Sequence, residues 1–409
     1  MLSNNTTKSF SSLFFICVIF YIWHTTLPAL GFYTPAALFA ACVLFLYAYI
    51  FTQRNEFSSI GRRISIYFSI LSLYFLGIIY SGTSSIVVKL YQILQIGLYP
   101  LLIIYITNYC NTKFIRYLFW AVVGSYIVTS ITTYMGCILY PGAARTMALP
   151  EEEMGPEIFA MYKMANIGNL TFIYSLVLLL PQIFFLIKSK IVGKLVSVSM
   201  LVILAICIIE TEYTTALLLM TVCFSLLFLP VQIKHKHILP LFMVMVVVFL
   251  VCRFFIGDLL IAISFSVDSE TVAIRLNELG SIFINGVSNT DDGDVGSRIE
   301  LYNKSINSFF RSPLWGGSNE IGGHSLLFDS LARFGLLGLA AFCLSYKKSW
   351  ENFYKPFSNT PYYGHILFSL FLGLVMAVLN PKDNLGVLTF TIPLFALYYK
   401  QKYESSLDR

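Results

Sequence analysis

Blocks of about twenty apolar residues, joined by polar connections, run through the sequence from end to end. A helix of about twenty residues crosses the ~30 Å hydrocarbon layer of a bilayer. Because lipid offers the backbone no hydrogen-bond partners, each block is predicted to be a helix. Only 12% of the residues are charged, against about 25% in soluble proteins, so a large soluble core is excluded. We therefore predict an all-α fold, a polytopic bundle of membrane helices.

About twelve such spans divide the chain into three parts. Residues 1–256 hold nine spans and an outer loop at 141–168, residues 257–325 form a large outer loop, and residues 326–409 hold three more spans. Loops longer than a connection requires usually carry function, so the work of the protein is expected at these outer loops. The predicted spans are 10–28, 32–51, 64–81, 91–109, 117–139, 169–187, 195–211, 215–231, 238–257, 326–346, 364–380 and 386–400.

The distribution of lysine and arginine predicts the orientation, because short cytoplasmic loops carry the excess of basic residues. One set of connections holds 17 of the 27 basic residues and only four of the 21 acidic residues. The other set, which includes both long loops, holds more acid than base. The first set is therefore predicted to be cytoplasmic, together with both termini, and the large loop is expected on the opposite side.

The sequence lacks the common motifs that bind nucleotides or metals. No Walker loop, dinucleotide fingerprint or zinc motif is present, and the oxygens of Asp291, Asp292 and Asp294 do not have EF-hand spacing. The eight cysteines lie in or beside apolar segments and form no CxxC pair, so we interpret them as buried apolar residues. We expect no cofactor, no metal and no nucleic-acid partner.

The last third of the large loop predicts an amphipathic helix from about Arg298 to Phe310, lying along the membrane surface. Ser297 stands three residues before Glu300, which is the spacing of a capping box, and Ser312-Pro313 is expected to end the helix. The residues expected on one face are Ile299, Tyr302, Ile306, Phe309 and Phe310.

Arg298 would then lie in the first turn of this helix. Unpaired backbone N–H groups and the helix dipole favour a phosphate there, and a guanidinium adds bidentate, charge-assisted hydrogen bonds. The alternative is an arginine that pairs with a nearby aspartate or reaches towards lipid headgroups. Spacing alone does not decide between these roles.

His324 follows two glycines at the mouth of the tenth span. An imidazole that titrates near neutral pH, next to exposed backbone, suits a general base. The alternative is a histidine that caps the helix or lies at the membrane interface. His24, which has no charged neighbour at helical spacing in the first span, is interpreted as structural.

Asp329 and Arg333 stand four residues apart near the outer end of the tenth span, where a charge normally faces protein or water. Either they form a mutual ion pair or Arg333 contributes to an outer cationic pocket. Glu210 and Glu212, at a tight outer turn, face either the same cavity or water. The other basic residues expected on this side include Arg145, Lys163, Arg275, Lys304, Arg311 and Lys382.

Four motifs in order resemble the conserved block of the O-antigen ligase and polymerase superfamily. They are Gly296-Ser-Arg-Ile-Glu-Leu-Tyr302, Phe310-Arg-Ser-Pro-Leu-Trp-Gly-Gly317, Gly322-Gly-His-Ser325 and Gly335-Leu-Leu-Gly338. In that family an arginine-containing helix leads to an SPLxGxG stretch, then to a His-Asn or His-Ser pair, and then to a helix with a GLLG element. Each motif alone is weak, but their order, spacing and place in the main outer loop agree with the family.

The resemblance implies a GT-C-like, metal-independent, inverting glycosyltransferase whose donor is a glycan linked to undecaprenyl diphosphate. By position, Arg298 would hold the diphosphate and His324 would orient or deprotonate the acceptor hydroxyl. Tyr302, at the end of the first motif, is assigned to substrate binding. Family members often carry a second arginine at a short outer turn, where this chain has Thr214. The residues that remain as substitutes for it are Arg145, Arg275 and Arg333.

Within this family the sequence favours a repeat-unit polymerase, which moves a growing glycan from one lipid diphosphate onto another lipid-linked repeat unit. A ligase that transfers the finished glycan to the lipid A core is the first alternative, and a flippase or transporter of lipid-linked sugars is the second. The resemblance places the chain in the bacterial inner membrane, in lipopolysaccharide or related surface-polysaccharide biosynthesis, with a periplasmic active site. The expected partners are lipid-linked donor and acceptor, membrane lipids and a chain-length regulator.

Overall fold

The computed structural model describes residues 4–53, 86–147, 155–228, 254–267, 270–285, 294–317, 320–354, 357–358, 360, 362–380, 384 and 386–407. Every regular element in these ranges is helical, which confirms the all-α fold class. The helices are α1 (Asn4–Thr26), α2 (Thr34–Gln53), α3 (Ile86–Tyr109), α4 (Thr112–Leu139), α5 (Pro156–Met164), α6 (Leu170–Ser189), α7 (Lys194–Glu210), α8 (Thr214–Phe228), α9 (Phe254–Ser264), α10 (Glu270–Asn285), α11 (Asp294–Arg311), α12 (Leu326–Phe353), α13 (Tyr362–Leu379) and α14 (Ile392–Leu407).

Eleven of the twelve predicted spans overlap these helices, although 238–257 does so only at residues 254–257. Four described helical segments are long and apolar enough to cross a bilayer, namely Pro28–Leu46, α4, α6 and α13. The predicted span 64–81 and most of 238–257 fall outside the described residues. The chain is therefore a helical protein with apolar helices of membrane-spanning length, and the count of twelve stays a prediction.

Helix α6 forms the centre of the bundle. All of its residues from Phe172 to Leu186 are buried, because α7, α8, α13 and α14 pack on it and Tyr126 of α4 stacks on the ring of Phe172. Such an all-round apolar helix fits only the interior of a bundle. The amide nitrogen of Gln182 bonds to α13: Nε2 donates to Ser369 Oγ at 2.8 Å and to the carbonyl of His365 at 3.1 Å.

The contacts between helices define two opposite ends of the bundle. Phe185, near the end of α6, lies with its ring centroid 5.0 Å from that of Tyr399 on α14, and Tyr398 stacks at 4.0 Å on Phe119 near the start of α4. Lysines and arginines gather there, so we call it the basic end. It comprises Lys113, Arg116, Lys188, Lys190, Lys194, Lys400 and Lys402.

The opposite end holds the start of α6 and the ends of α4 and α13. Asn166, just before α6, donates from Nδ2 to the hydroxyls of Thr129 and Thr132 on α4, both at 3.0 Å. The backbone N–H of Gly168 donates to Thr133 Oγ1 at 2.7 Å. Ser175 on α6 donates to Asn384 Oδ1, beyond the end of α13, at 3.2 Å. These bonds fix the start of α6, and the described part of the large loop packs at this end.

Helix α11 confirms the amphipathic helix of the large loop, but it begins at Asp294 rather than near Arg298. Ser297 therefore lies inside the first turn, and the predicted capping box is wrong. The helix ends at Arg311 as expected, where the N–H of Ser312 bonds to the carbonyl of Phe309 at 3.1 Å.

Helix α12 is broken, whereas the sequence predicts one continuous span at 326–346. Gly335 has φ 62° and ψ −171°, a conformation that only glycine adopts readily. The break releases the N–H groups of Leu336 and Leu337, which donate to the carbonyls of Pro313 at 2.8 Å and Leu314 at 3.2 Å. The loop segment 312–317 thus lies along the break and satisfies backbone that a lipid environment would leave unpaired.

Candidate functional site

The described part of the large loop ends in a short turn, residues 320–325, which we call the histidine turn because it carries His324. The carboxylate of Asp329, in the first turn of α12, accepts hydrogen bonds from the N–H groups on either side of this histidine. Gly323 N donates to Oδ1 at 3.2 Å and Ser325 N donates to Oδ2 at 3.3 Å. The backbone that carries His324 is therefore held at two points by one buried carboxylate.

The same carboxylate connects the histidine turn to α11. Ser305, fully buried on α11, donates from Oγ to Asp329 Oδ1 at 2.6 Å and accepts from Gly322 N at 2.8 Å. Gly322 lies so close to α11 that a Cβ there would collide with the backbone of Leu301. The turn thus packs backbone against backbone on α11, with a serine hydroxyl completing the contact.

The start of α12 is anchored to the end of α13. Ser325 caps α12, because its Oγ accepts from Phe328 N at 3.2 Å. The same hydroxyl donates to the carbonyl of Ala377 at 3.3 Å, and Leu326 N donates to the carbonyl of Asn380 at 2.9 Å. The capping residue of α12 is therefore Ser325, and His324 is the residue before it.

Tyr302 joins α11 to the same group of helix ends. Its hydroxyl donates to the carbonyl of Leu379 at 3.2 Å, and its ring centroid lies 5.8 Å from that of Phe328. Burial raises the pKa of Tyr302 above its ordinary value, and the guanidinium of Arg298 opposes the rise because it favours the phenolate. Tyr174, at the start of α6, and Asp329 act in the same direction as burial. Tyr302 therefore joins α11 to α12 through its ring and to α13 through its hydroxyl.

Two of the predicted site residues, Arg298 and Tyr302, lie one turn apart on α11, and the third, His324, lies in the turn that packs on the same helix. Because α11 begins at Asp294, Arg298 stands in its second turn. The first four backbone N–H groups of a helix have no partner within it, and the N–H of Arg298 comes after these four. The prediction that Arg298 lies in the first turn is therefore wrong.

The other predicted arginines lie on elements other than α11, and the side chain of Arg275 lies outside the described part of the structure. Arg145 lies in a short helical turn that the hydroxyl of Tyr213 holds through the carbonyl of Ala144, at 2.5 Å. Arg275 lies on α10. Arg333 is exposed on α12 beside the helix break, and its carbonyl accepts from Gly317 N at 2.8 Å.

The ion pair between Asp329 and Arg333, one of the two interpretations of their spacing, is not formed in the described residues. Both carboxylate oxygens of Asp329 instead accept from Ser305 and from the histidine turn. In the described part of the large loop, an ion pair joins Arg311 Nη1 to Glu320 Oε2 at 3.0 Å, and both side chains are exposed. Exposed pairs contribute little stability, so the buried hydrogen bonds of Asp329, Ser305 and Ser308 hold the histidine turn more firmly than this pair does.

Among the described residues, no three or more histidine, cysteine, aspartate or glutamate side chains are grouped to hold a metal ion. Comparison with known proteins leaves the family open, because no protein-family model matches the chain and no curated protein matches it at a significant level.

Proposed function

We propose that this protein is a polysaccharide repeat-unit polymerase of the GT-C-like type. It transfers a growing glycan from undecaprenyl diphosphate onto another lipid-linked repeat unit, on the periplasmic face of the bacterial inner membrane. The four ordered motifs carry the family resemblance. The observation that most supports a site is the packing of the histidine turn on α11 through Ser305 and Asp329, because it joins the helix of Arg298 to the turn of His324.

In this proposal Arg298 binds the diphosphate of the donor. Negative charge develops on that leaving group as the glycosidic bond breaks, and a fixed guanidinium stabilises it more in the transition state than in the ground state. Tyr302 lies one turn along α11 in the field of Arg298, and it is protonated at neutral pH, as a tyrosine ordinarily is; burial raises its pKa further above 10. It therefore presents a neutral hydroxyl beside the cation.

His324 acts as the general base. The acceptor hydroxyl oxygen attacks the anomeric carbon as the carbon–oxygen bond to the diphosphate breaks, and the hydroxyl proton passes to the imidazole. The attack comes from the face opposite the leaving group, so the configuration inverts. The diphosphate departs with the bonding electron pair, and the products are a lengthened lipid-linked glycan and free undecaprenyl diphosphate.

The charge distribution supports the orientation. The histidine turn contacts the end of α13, whereas the basic end of the bundle lies at the start of α13 and the end of α6. Since basic residues collect on the cytoplasmic side, the candidate site would face the periplasm. A lipid-linked glycan that has already been flipped is presented on that side.

The surface glycan of a strain that lacks this protein tests the proposal. We expect that strain to attach single repeat units to the final carrier, which gives one short band on a gel instead of a ladder.

We expect His324→Ala to reduce chain lengthening by about 10²- to 10⁴-fold, as loss of a general base does, at an unchanged protein level. Arg298→Lys keeps the charge but loses the planar fork, so a shortened ladder is expected. Lys304→Ala, an exposed cation on α11, is the matched control and should keep the full ladder.

The same gel separates the alternatives. A strain that attaches no glycan at all would indicate a ligase, and lipid-linked units trapped on the cytoplasmic face would indicate a flippase. A full-length ladder from His324→Ala would exclude the mechanism written above.

A further inference from the structure

Asp329 is a buried carboxylate, 7% exposed, that makes no ion pair in the described part of the chain. Burying a charge without a counter-ion is costly unless hydrogen bonds replace the lost water. Here three donors do so, the hydroxyl of Ser305 and the N–H groups of Gly323 and Ser325. The position of this carboxylate is therefore coupled to the backbone on both sides of His324.

Capping of α12 accounts for only one of these bonds. The hydroxyl of Ser325 caps the helix through Phe328 N, and Asp329 Oδ2 accepts in return from the N–H of Ser325, as in a capping box. Oδ1 instead accepts from Gly323 N and from Ser305 on α11, a residue 24 positions earlier in the sequence. An aspartate in the first turn gains some stability from the helix dipole, but the dipole does not require contacts with another helix.

Ser305 extends the coupling to α11. Its hydroxyl both donates to Asp329 and accepts from Gly322 N, so the oxygen is fixed in both roles. Arg298 and Tyr302 lie on the same helix, within two turns of Ser305. A displacement of α11 would thus be transmitted to the histidine turn through one serine and one aspartate.

We propose that Asp329 is a positioning residue, which through Ser305 fixes the backbone of His324 relative to the helix that carries Arg298. This inference rests on the proposed function, because it assigns His324 and Arg298 to one reaction. The carboxylate does not touch the substrate and does not exchange a proton with it. It sets the distance and direction between the base and the diphosphate-binding cation, and a misplacement of about 1 Å can reduce a rate about 100-fold.

Two measurements on the full-length protein test this role, and the first is hydrogen–deuterium exchange in nanodiscs. We expect Asp329→Ala to speed exchange at the amides of Gly323 and Ser325, which lose their acceptor. We expect Ser305→Ala to speed exchange at Gly322. Exchange in the peptide that covers the middle of α4 serves as the internal reference and should not change. Unchanged exchange at 322–325 in both variants would overturn the proposal.

The second measurement is the rate of chain lengthening in membranes that hold equal amounts of each variant. We expect Asp329→Ala to lose activity about 100-fold, through misplacement of His324. Asp329→Asn keeps the shape of the side chain and one acceptor oxygen, but it turns an N–H₂ group towards Ser325 N. We therefore expect an intermediate loss of activity. If Asp329→Ala fails to fold, Asp329→Asn replaces it in this test. Normal lengthening in Asp329→Ala, together with faster exchange, would reduce the carboxylate to a structural role and overturn the proposal.

Ser308→Ala is the matched control. Ser308 is buried on the same helix and also bonds to the histidine turn, but to the carbonyl of Glu320, at 2.5 Å and away from Asp329. Because Ser305 and Asp329 act as one unit, the loss in their double alanine variant should be smaller than the product of the single losses. The losses from Ser308→Ala and Asp329→Ala should multiply. Multiplicative losses in both pairs would overturn the coupling.

Failure of the proposed function gives a different result. In that case His324→Ala lengthens chains normally, which overturns both proposals whatever the exchange rates show. If His324→Ala is inactive and Asp329→Ala is fully active, the function stands and only the positioning role falls.

Discussion

Tyr302 makes both an aromatic contact and a hydrogen bond with neighbouring helices. Its ring packs on Phe328 and its hydroxyl bonds to the carbonyl of Leu379. Burial favours the neutral phenol, because transfer of a phenolate out of water is costly, and the charge of Arg298 only partly offsets this effect. The residue therefore donates a hydrogen bond throughout the neutral pH range.

The raised pKa of the buried Tyr302 phenol predicts how the stability of the protein depends on pH. A group whose pKa is raised in the folded protein adds stability that is complete below its unfolded pKa, near 10, and is lost as pH rises through the folded value. The melting temperature of the wild type should therefore fall more than that of Tyr302→Phe as the pH rises above about 10. At pH 7 the variant should be less stable by about 0.5–1.5 kcal/mol, the contribution of one hydrogen bond. Parallel curves for the two proteins would contradict the assignment.

Individual site residues were predictable where the signal was local. The helix that carries Arg298 and Tyr302 follows from the spacing of apolar residues, and it is confirmed apart from its first turn. The role of Asp329 was not predictable, because its spacing to Arg333 indicated a local pair, whereas its partner Ser305 is 24 residues away. A small polar residue on the packed face of an amphipathic helix was the available signal. The role of such a residue can be assigned only when the element that packs against it is known.

At the scale of the element, the break in α12 and the segment 312–317 form one structural unit. Gly316 and Gly335 face each other, and a Cβ on either would collide with the backbone of the opposite segment. Their closeness lets the carbonyls of Pro313 and Leu314 reach the N–H groups that the break releases. Two of the four motifs, the Ser-Pro-Leu-Trp-Gly-Gly stretch and the Gly-Leu-Leu-Gly element, are thus two sides of one contact.

The break predicts a strong dependence on glycine. Gly335→Ala should lower stability by about 1–3 kcal/mol from the backbone conformation alone, and by more because of the collision with Leu314. Gly124→Ala, within α4, is the matched control, since a Cβ there meets no atom within 4 Å. It should leave stability unchanged or raise it by about 0.5–1 kcal/mol. Thermal unfolding in detergent measures both, and equal melting temperatures for the two variants would show that α12 tolerates an unbroken course.

The elements as a whole follow closely from the sequence, because the length of an apolar block is set by helix geometry. The starts and ends of α4, α6 and α13 lie within about five residues of the predicted spans. The break at Gly335 was not predictable, since glycine and leucine together read as a continuous apolar span. Its cause is the loop segment that packs alongside it, and such a contact between distant segments leaves no periodic signal.

At the scale of the whole molecule, the basic end and the candidate site lie at opposite ends of the bundle. The basic end carries the lysines and arginines at the start of α4, in the last turn of α6 and just after it, at the start of α7 and in α14, whereas the histidine turn lies at the other end of α13. In the proposed reaction, the donor, the acceptor and the leaving group would all be bound at the end of the bundle that carries the histidine turn. It also means that the orientation of the chain decides which compartment the candidate site faces.

Cysteine labelling tests this orientation. Lys304 on α11 and Lys190 after α6 are both exposed and lie at opposite ends of the bundle. In a variant whose eight native cysteines are replaced and which still restores the glycan ladder, a membrane-impermeant maleimide should label Lys304→Cys in intact spheroplasts. Lys190→Cys should react only after lysis, because the positive-inside rule places it in the cytoplasm. The reverse pattern would put the histidine turn in the cytoplasm, and a periplasmic polymerase would then be excluded.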